Sequence, residues 1–284
     1  MDALRQLDGW PVGAASAGVV TRDGTLAVYG PADREFRWAS ITKLATAFAV
    51  MIAVEEGTLT LDQPAGPPGS TVRHLLAHAS GLPFDGPEPV ARPGMRRVYS
   101  NTGYESLAAV LAAAAAMPFE DYLRAAVIEP LGLASTWLEG TAAAGLRGPL
   151  SNLLLFAREA LHPTLVAPST FAEMTSVAFA GLGGVLPGIG RMRPMDWGLG
   201  FELRDAKSPH WTGNNNSPET YGHFGGSGSF LWADPVAGVA CASLSDRQFG
   251  PWSLDAWPRL ADAVLAEVGG GYSPNAPRPH RLGA

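Results

Sequence analysis

A serine three residues ahead of a lysine opens the most apolar stretch of the chain: Trp38-Ala39-Ser40-Ile41-Thr42-Lys43, leading into Leu44–Val54. On a helix that spacing sets both side chains on one face, a turn apart. A hydroxyl and an amine held so are a candidate nucleophile and its proton acceptor. The chain carries 20 lysines and arginines, yet only Lys43 and Lys207 are lysines. An arginine keeps its proton at any working pH, whereas a lysine in dry surroundings gives it up. A surface lysine beside a capping serine makes the same pattern, so the spacing alone supports either reading. Tyr99-Ser100-Asn101 sets a phenol and an amide two residues apart, able to enter one cleft if extended. A tyrosine beside a lysine ammonium can lose its proton below its usual pKa and act as a base. Alternatively Ser100 or Asn101 caps the next helix and Tyr99 packs. Gly222-His223-Phe224-Gly225-Gly226-Ser227-Gly228 reads as a strand entering a glycine-rich turn. Glycines let a substrate approach the backbone, and an N–H there can pair with that of Ser40 as an oxyanion hole. An ordinary histidine in a glycine-rich hairpin fits this segment too.

Those segments need elements to hold them. Ile41, Leu44, Phe48, Met51 and Val54 leave a helix no polar side, so a buried helix is predicted, ending at Glu55-Glu56-Gly57 with Gly57 as cap. Ser40 then stands at its N-terminus, where the dipole favours negative charge. Residues 1–11 read as a short helix, and Ala15–Arg22 with Thr25–Gly30 as a hairpin around Asp23-Gly24. Pro/Gly-rich loops over 61–71 and 83–94 bracket a short helix over 71–78 with Thr71 as its cap. Helices are expected over 100–117, 118–127, 151–161 and 169–175. Five glycines within 181–190 break that texture, and strand-like runs follow at 197–203, 221–224, 229–233 and 239–244. A closing helix over 254–268 carries Pro258 near its first turn, and 269–284 reads as a loose tail. Strands at both ends with helices between predict an α+β fold, its antiparallel sheet built from N- and C-terminal segments. The expected organisation is a single domain with an α/β lobe over about 1–57 and 181–268 and a helical lobe over about 58–180. Chemistry would sit in the cleft between them.

Composition narrows the function. The 284 residues are 46% hydrophobic and 16% charged, with a net charge of −6, which suits a well-buried globular core. No basic run points to nucleic acid. Cys241 is the only cysteine, excluding an internal disulfide and a cysteine metal cluster. The longest apolar runs, Leu44–Val54 and Leu107–Phe119, fall short of the ~20 residues that cross a bilayer. Met1-Asp2-Ala3-Leu4-Arg5-Gln6 lacks the apolar core of a secretory signal, so a cytoplasmic location is expected. His74 and His78 have metal-ligand spacing, but Leu75 stands where a zinc protease has glutamate, and neither metal nor other cofactor is expected. Ala14-Ala15-Ser16-Ala17-Gly18 approximates a nucleophile elbow but falls inside a hairpin strand. Trp197, Trp211, Trp232, Trp252 and Trp257 are read as core or cleft wall, and Asn214–Asn216 as a polar loop.

Ser40-x-x-Lys43, Tyr99-x-Asn101 and His223-Phe224-Gly225, in that order, resemble the serine β-lactamase and penicillin-binding family, in its class C β-lactamase, DD-peptidase and esterase branch. The flanking text of Phe36–Ser40, Glu55–Asp62, Val72–Pro83, Tyr99–Tyr104 and Glu129–Leu133 is similar as well. The resemblance runs from about residue 10 to 265 and is weakest over 135–195. It implies a β-lactamase/transpeptidase-like fold and acyl transfer through a covalent acyl-enzyme, on a small ester, amide or peptide-like substrate. It implies Ser40 as the acylated nucleophile, Lys43 as the group that helps deprotonate it, and Tyr99 as a proton shuttle that later activates water. Asn101 would contact substrate or Lys43, and His223, Phe224 and Gly225 would bind substrate. The N–H groups of Ser40 and Gly226 would form the oxyanion hole.

Two residues depart from that pattern. His223 stands where many members have lysine, and Phe224 where a small residue is usual. Phenylalanine offers a substrate carboxylate no hydroxyl, and histidine is only partly charged near neutrality. An esterase-like or amide hydrolase with weak or no β-lactamase activity is therefore expected. The family also holds D-Ala-D-Ala carboxypeptidases and β-lactamases, and a catalytically silent binding protein of the same fold is a further reading.

Overall fold

In a computed structural model, residues 1–269 are described. The tail read over 269–284 lies, from Gly270 onward, outside the described residues. A 3-10 helix, Asp2–Gly9, leads into β1 (Ala15–Thr21) and β2 (Gly24–Tyr29), a hairpin as expected, its turn at Arg22-Asp23, one residue ahead of the predicted Asp23-Gly24. β3 (Glu35–Arg37) and a 3-10 turn, Ala39–Ile41, precede α1 (Thr42–Glu55). The middle of the chain holds α2 (Val72–Leu76), α3 (Asn101–Ala115), and α4 (Phe119–Leu123) with its π-helical continuation Arg124–Ile128. Next come β4 (Trp137–Leu138), β5 (Leu146–Pro149), α5 (Leu150–Leu161) and α6 (Pro168–Met174). β6 (Gly184–Leu186) and β7 (Gly190–Met192) form a small hairpin. The chain closes through β8 (Glu202–Leu203), β9 (Tyr221–Gly225), β10 (Ser229–Asp234), β11 (Val239–Ser245) and α7 (Pro251–Val268).

The main sheet is antiparallel in the order β2-β1-β11-β10-β9-β8, so N- and C-terminal segments share it as expected. Its inner strands are buried on both faces, and period-two alternation sorts their side chains. Ala17 and Val19 of β1, Phe230 and Trp232 of β10, and Val239 and Cys241 of β11 join one core with Trp257, Leu260 and Val264 of α7. Leu231, Ala233, Ala240 and Ala242 face the other core, with Leu153, Leu154 and Ala157 of α5 and most of α1. Small residues let α5 approach that face. A Cβ on Gly18 would lie 2.7 Å from Leu154 Cδ1, closer than packed carbons allow. Helix α1 runs inside this second core with every residue from Thr42 to Met51 buried.

Several elements differ from the sequence reading. A second sheet, β3-β5-β4, was not expected. Its strands are too short to show an alternation. The glycines of 181–190 read as a pure breaker, but they form β6 and β7, with Gly188 and Gly190 at positive φ in the turn. The run 197–203 contributes only Glu202–Leu203 to the sheet. The last helix begins at Pro251, with Gly250 as its N-cap, so Pro258 lies inside it rather than in its first turn. Ser16 lies buried within β1, as the hairpin reading requires.

Candidate active site

The Ser40 turn is held from three directions. Trp38 is fully buried, its backbone N–H donating to Leu146 O (2.9 Å) and its indole to Gly148 O (3.3 Å). Ser229 Oγ donates to Trp38 O at 2.9 Å. Ala39, between Trp38 and Ser40, has φ +47°, a left-handed conformation that costs a non-glycine residue roughly 1–2 kcal/mol. Gly225 makes room for it. A Cβ there would lie 2.6 Å from Trp38 O and 3.0 Å from the Ala39 Cβ. Gly225, expected to meet substrate, lets β9 close against the turn. Ser40 sits in the 3-10 turn ahead of α1 rather than in the α-helix itself.

Lys43, in the first turn of α1, is completely buried. Its Nζ donates to Asn101 Oδ1 (2.7 Å) and to Ala143 O (2.9 Å) and lies 3.5 Å from Ser40 Oγ. Two neighbours on α1 fix the segment that supplies Ala143. Thr46 Oγ1 donates to Ala142 O (2.7 Å), and Thr42 Oγ1 accepts from Leu146 N (3.0 Å). Burial lowers the Lys43 pKa to about 7, against the pull of Glu105 and Asp85. A neutral amine has two N–H donors and one lone pair. The two oxygens take the donors, which leaves the lone pair for the serine hydroxyl.

Tyr99 and Asn101 flank the N-cap of α3. Ser100 is that cap, its Oγ accepting from Gly103 N (2.9 Å) and donating to Pro83 O (2.6 Å). The capping reading therefore holds for Ser100, while its neighbours point elsewhere. Asn101 bridges Lys43 and Asp85, its Nδ2 lying 3.2 Å from Asp85 Oδ1. The Tyr99 ring lies 4.8 Å from Lys43 Nζ. Burial raises the Tyr99 pKa, outweighing a lowering contribution from Ser40. The expectation of a readily ionised tyrosine is thus corrected: desolvation wins, and Tyr99 is a neutral phenol. His78 had been paired with His74 on metal-ligand spacing. Its Nδ1 instead accepts the Ser100 N–H (3.1 Å), and its ring packs 4.5 Å from that of Tyr99. His74 packs on Phe179 and bonds Thr71.

On β9, His223 Nδ1 donates to Phe224 O at 2.7 Å. A carbonyl only accepts, so the ring proton is on Nδ1 and Nε2 carries the lone pair. Tyr99 OH donates to that Nε2 at 3.3 Å. Burial, then the Lys43 charge, lowers the His223 pKa to about 3. His223 is therefore neutral at ordinary pH, where a partly charged ring was expected. Phe224 stacks 4.6 Å from Phe249.

These residues meet in a cleft with about 540 Å³ of empty space. Ser40, Tyr99, His223, Phe224 and Gly226 line it; Lys43, Asn101 and Gly225 are not among the lining residues. Its other walls were not anticipated. Leu186, Pro187 and Gly188 of the β6–β7 hairpin close one side, with Phe84, Trp197 and Phe249. Glu202 reaches the cleft as a buried carboxylate. It pairs with Lys207 and takes hydrogen bonds from His210 Nε2 (2.9 Å) and Trp211 Nε1 (3.0 Å). Burial alone would raise its pKa, but His210 and Lys207 hold it at about 2. The second lysine of an arginine-rich chain was the one sequence signal for this cluster.

Residues 7–266 match the family model described as Beta-lactamase. The crystal structure of a beta-lactamase from Mycobacterium bovis is 52% identical, with a TM-score of 0.92, covering 94% of this chain and 99% of that one. Penicillin-binding protein 4* of Bacillus subtilis is 28% identical over 134 residues, which span 36% of this chain and 30% of that protein. A D-alanyl-D-alanine-carboxypeptidase/endopeptidase of Escherichia coli is 28% identical over 141 residues, 37% of each. The matched stretches thus cover about a third of those two relatives.

Proposed function

This chain belongs to the beta-lactamase family, and on that footing we propose that it is a serine hydrolase forming an acyl-enzyme on Ser40. The observation that carries the reading is the Lys43 amine. It is buried, holds two oxygen acceptors, and has its remaining valence toward Ser40 Oγ at 3.5 Å. Lys43 takes the Ser40 proton as Oγ attacks the substrate carbonyl. The N–H groups of Ser40 and Gly226 stabilise the oxyanion. Tyr99, a neutral phenol, donates its proton to the leaving group and is reprotonated by the adjoining Lys43 ammonium, which lies against its ring. In the second half, water attacks the acyl carbon, the same pair accepts its proton, and that proton passes to Ser40 Oγ as the acyl–oxygen bond breaks.

The substrate is an ester or amide of a small molecule, with an apolar group in the Phe224–Phe249 cleft. Neutral His223 and Phe224 offer a β-lactam carboxylate neither charge nor hydroxyl. Short-chain p-nitrophenyl esters are expected to turn over, and nitrocefin weakly or not at all. Rapid nitrocefin turnover without ester hydrolysis would overturn this preference. The 28% identity to a carboxypeptidase supports a second reading, a D-Ala-D-Ala peptidase. Release of D-alanine from a D-Ala-D-Ala peptide, faster than any ester cleavage, would favour it. A silent binding protein would leave Ser40 unlabelled by a fluorophosphonate or a fluorescent penicillin, read by intact mass.

The Lys43 pKa sets a pH profile. Lysine is a base only above its pKa, so kcat/KM for a neutral ester should rise tenfold per unit below about 7 and level off above it. The raised Tyr99 pKa puts no falling limb in the range up to about pH 9. A flat profile from pH 5.5 to 8.5 would exclude Lys43 as the titrating base.

A further inference from the structure

A second cleft adjoins the first, and Gly226 lines both. Consecutive residues divide between them. Ala39 and Gln248 line the second, while Ser40 and Phe249 line the first. The reacting serine therefore stands at a shared wall, and a scissile bond placed there has a different cleft on each side.

The two sides differ in chemistry. The Ser40 side is aromatic, its histidine is neutral, and Glu202 is matched by Lys207. The other side carries Arg34, Arg37 and Arg147 against Glu35 and Asp246. Arg34 is occupied, lying 3.2 Å from Asp246 and stacking on Phe36. Asp246 also accepts from Gly13 N and Ala14 N, each at 2.9 Å. Arg147 lies 3.2 Å from Glu139. Arg37 makes no ion pair among the described residues, nor does Glu35, two residues before it on β3. Arg37 and Arg147 are direct cross-strand partners in the β3–β5 register. Like charges so placed repel, and a shared anion relieves that repulsion. Each guanidinium can also hold a carboxylate through two parallel N–H donors.

We propose that the Arg37–Arg147 cleft binds a carboxylate of the substrate while an apolar group of the same molecule fills the aromatic cleft. The substrate class is then an ester or amide with an apolar group on one side of the scissile bond and an anion on the other. This rests on the serine hydrolase reading.

Two matched ester pairs test it, one for each orientation. One pair is 4-(phenylacetoxy)benzoate and its benzamide counterpart; the other is the monobenzyl ester of terephthalate and its carboxamide. The carboxylate should be favoured in kcat/KM by about tenfold in at least one pair, falling as NaCl shortens the reach of the charges. Arg37→Gln should bring that ratio close to one, whereas a general loss of structure would scale both members alike. A ratio near one for both pairs, or an unchanged ratio in Arg37→Gln, overturns the proposal. If no ester turns over and Ser40 takes no label, the hydrolase reading fails. Calorimetric binding of 4-(phenylacetamido)benzoate and its carboxamide to the Ser40→Ala protein then decides the anion site. Tighter binding of the carboxylate, lost in the double variant with Arg37→Gln, supports it, and equal affinity sinks it.

Discussion

Ser40→Ala should lower ester turnover on the order of 10⁴-fold or more and abolish covalent labelling of the protein. The same oxygen is asked to do both, so the two losses must appear together. The substitution is also structurally quiet. The turn is set by Trp38, Ala39 and Gly225, and the Ser40 hydroxyl caps no helix. Its polar neighbours are Lys43, at 3.5 Å, and the Tyr99 phenol. Stability should therefore move by no more than about 0.5 kcal/mol, which a thermal melt checks. Intact-mass labelling and ester kinetics on one preparation give the rest. Labelling that persists in the folded variant would place the nucleophile elsewhere.

The sequence disclosed most about side chains and least about what surrounds them. Ser40, Lys43, Tyr99 and Asn101 were candidates on spacing alone, with packing and capping readings open beside it, and the family resemblance of the three segments in order singled them out. Lys43 bonding Asn101 over 58 positions could be read only through the family resemblance. Its other partner, the carbonyl of Ala143, has no sequence signature, because every residue has one. The electrostatics failed for a related reason. A nearby lysine suggested an easily ionised Tyr99, and the ordinary histidine pKa a partly charged His223. Burial dominates at both, outweighing the Ser40 hydrogen bond at Tyr99 and adding to the Lys43 charge at His223, and burial is a property of the assembled core.

Short elements were the other blind spot. β4 and β8 are two-residue strands, below any periodicity, yet β8 carries Glu202 to the cleft. The β6–β7 hairpin was hidden by the glycines that make its turn possible. The long strands of the main sheet were read correctly because each is a β-rich run bounded by turn residues. Glycine carried two meanings that sequence cannot separate. Gly226, expected to offer an N–H, does line the cleft, whereas Gly225 is required by the approach of Trp38 and Ala39.

Lys43→Arg and Lys43→Met should each slow acylation about 10³-fold, within the range typical of losing a general base. They should also remove the rise in rate near pH 7. The arginine variant separates two roles that the position allows. Arginine supplies donors for Asn101 Oδ1 and Ala143 O and keeps the positive charge, but it has no accessible lone pair. If Lys43 served as a fixed cation, arginine would retain most of the rate. If it is the base, arginine should be nearly as poor as methionine. Methionine leaves both oxygens without their donor, which costs about 1–3 kcal/mol for each unsatisfied group. It also removes the penalty of a buried amine, so the net change in stability should be small. Single-turnover acylation from pH 5.5 to 9 measures both predictions, and circular dichroism checks that each variant folds. An arginine variant with a tenth or more of the normal rate and the pH step intact would remove Lys43 as the base. Should arginine not fit the buried site, the methionine profile decides alone. A step near pH 7 that survives there must belong to another group.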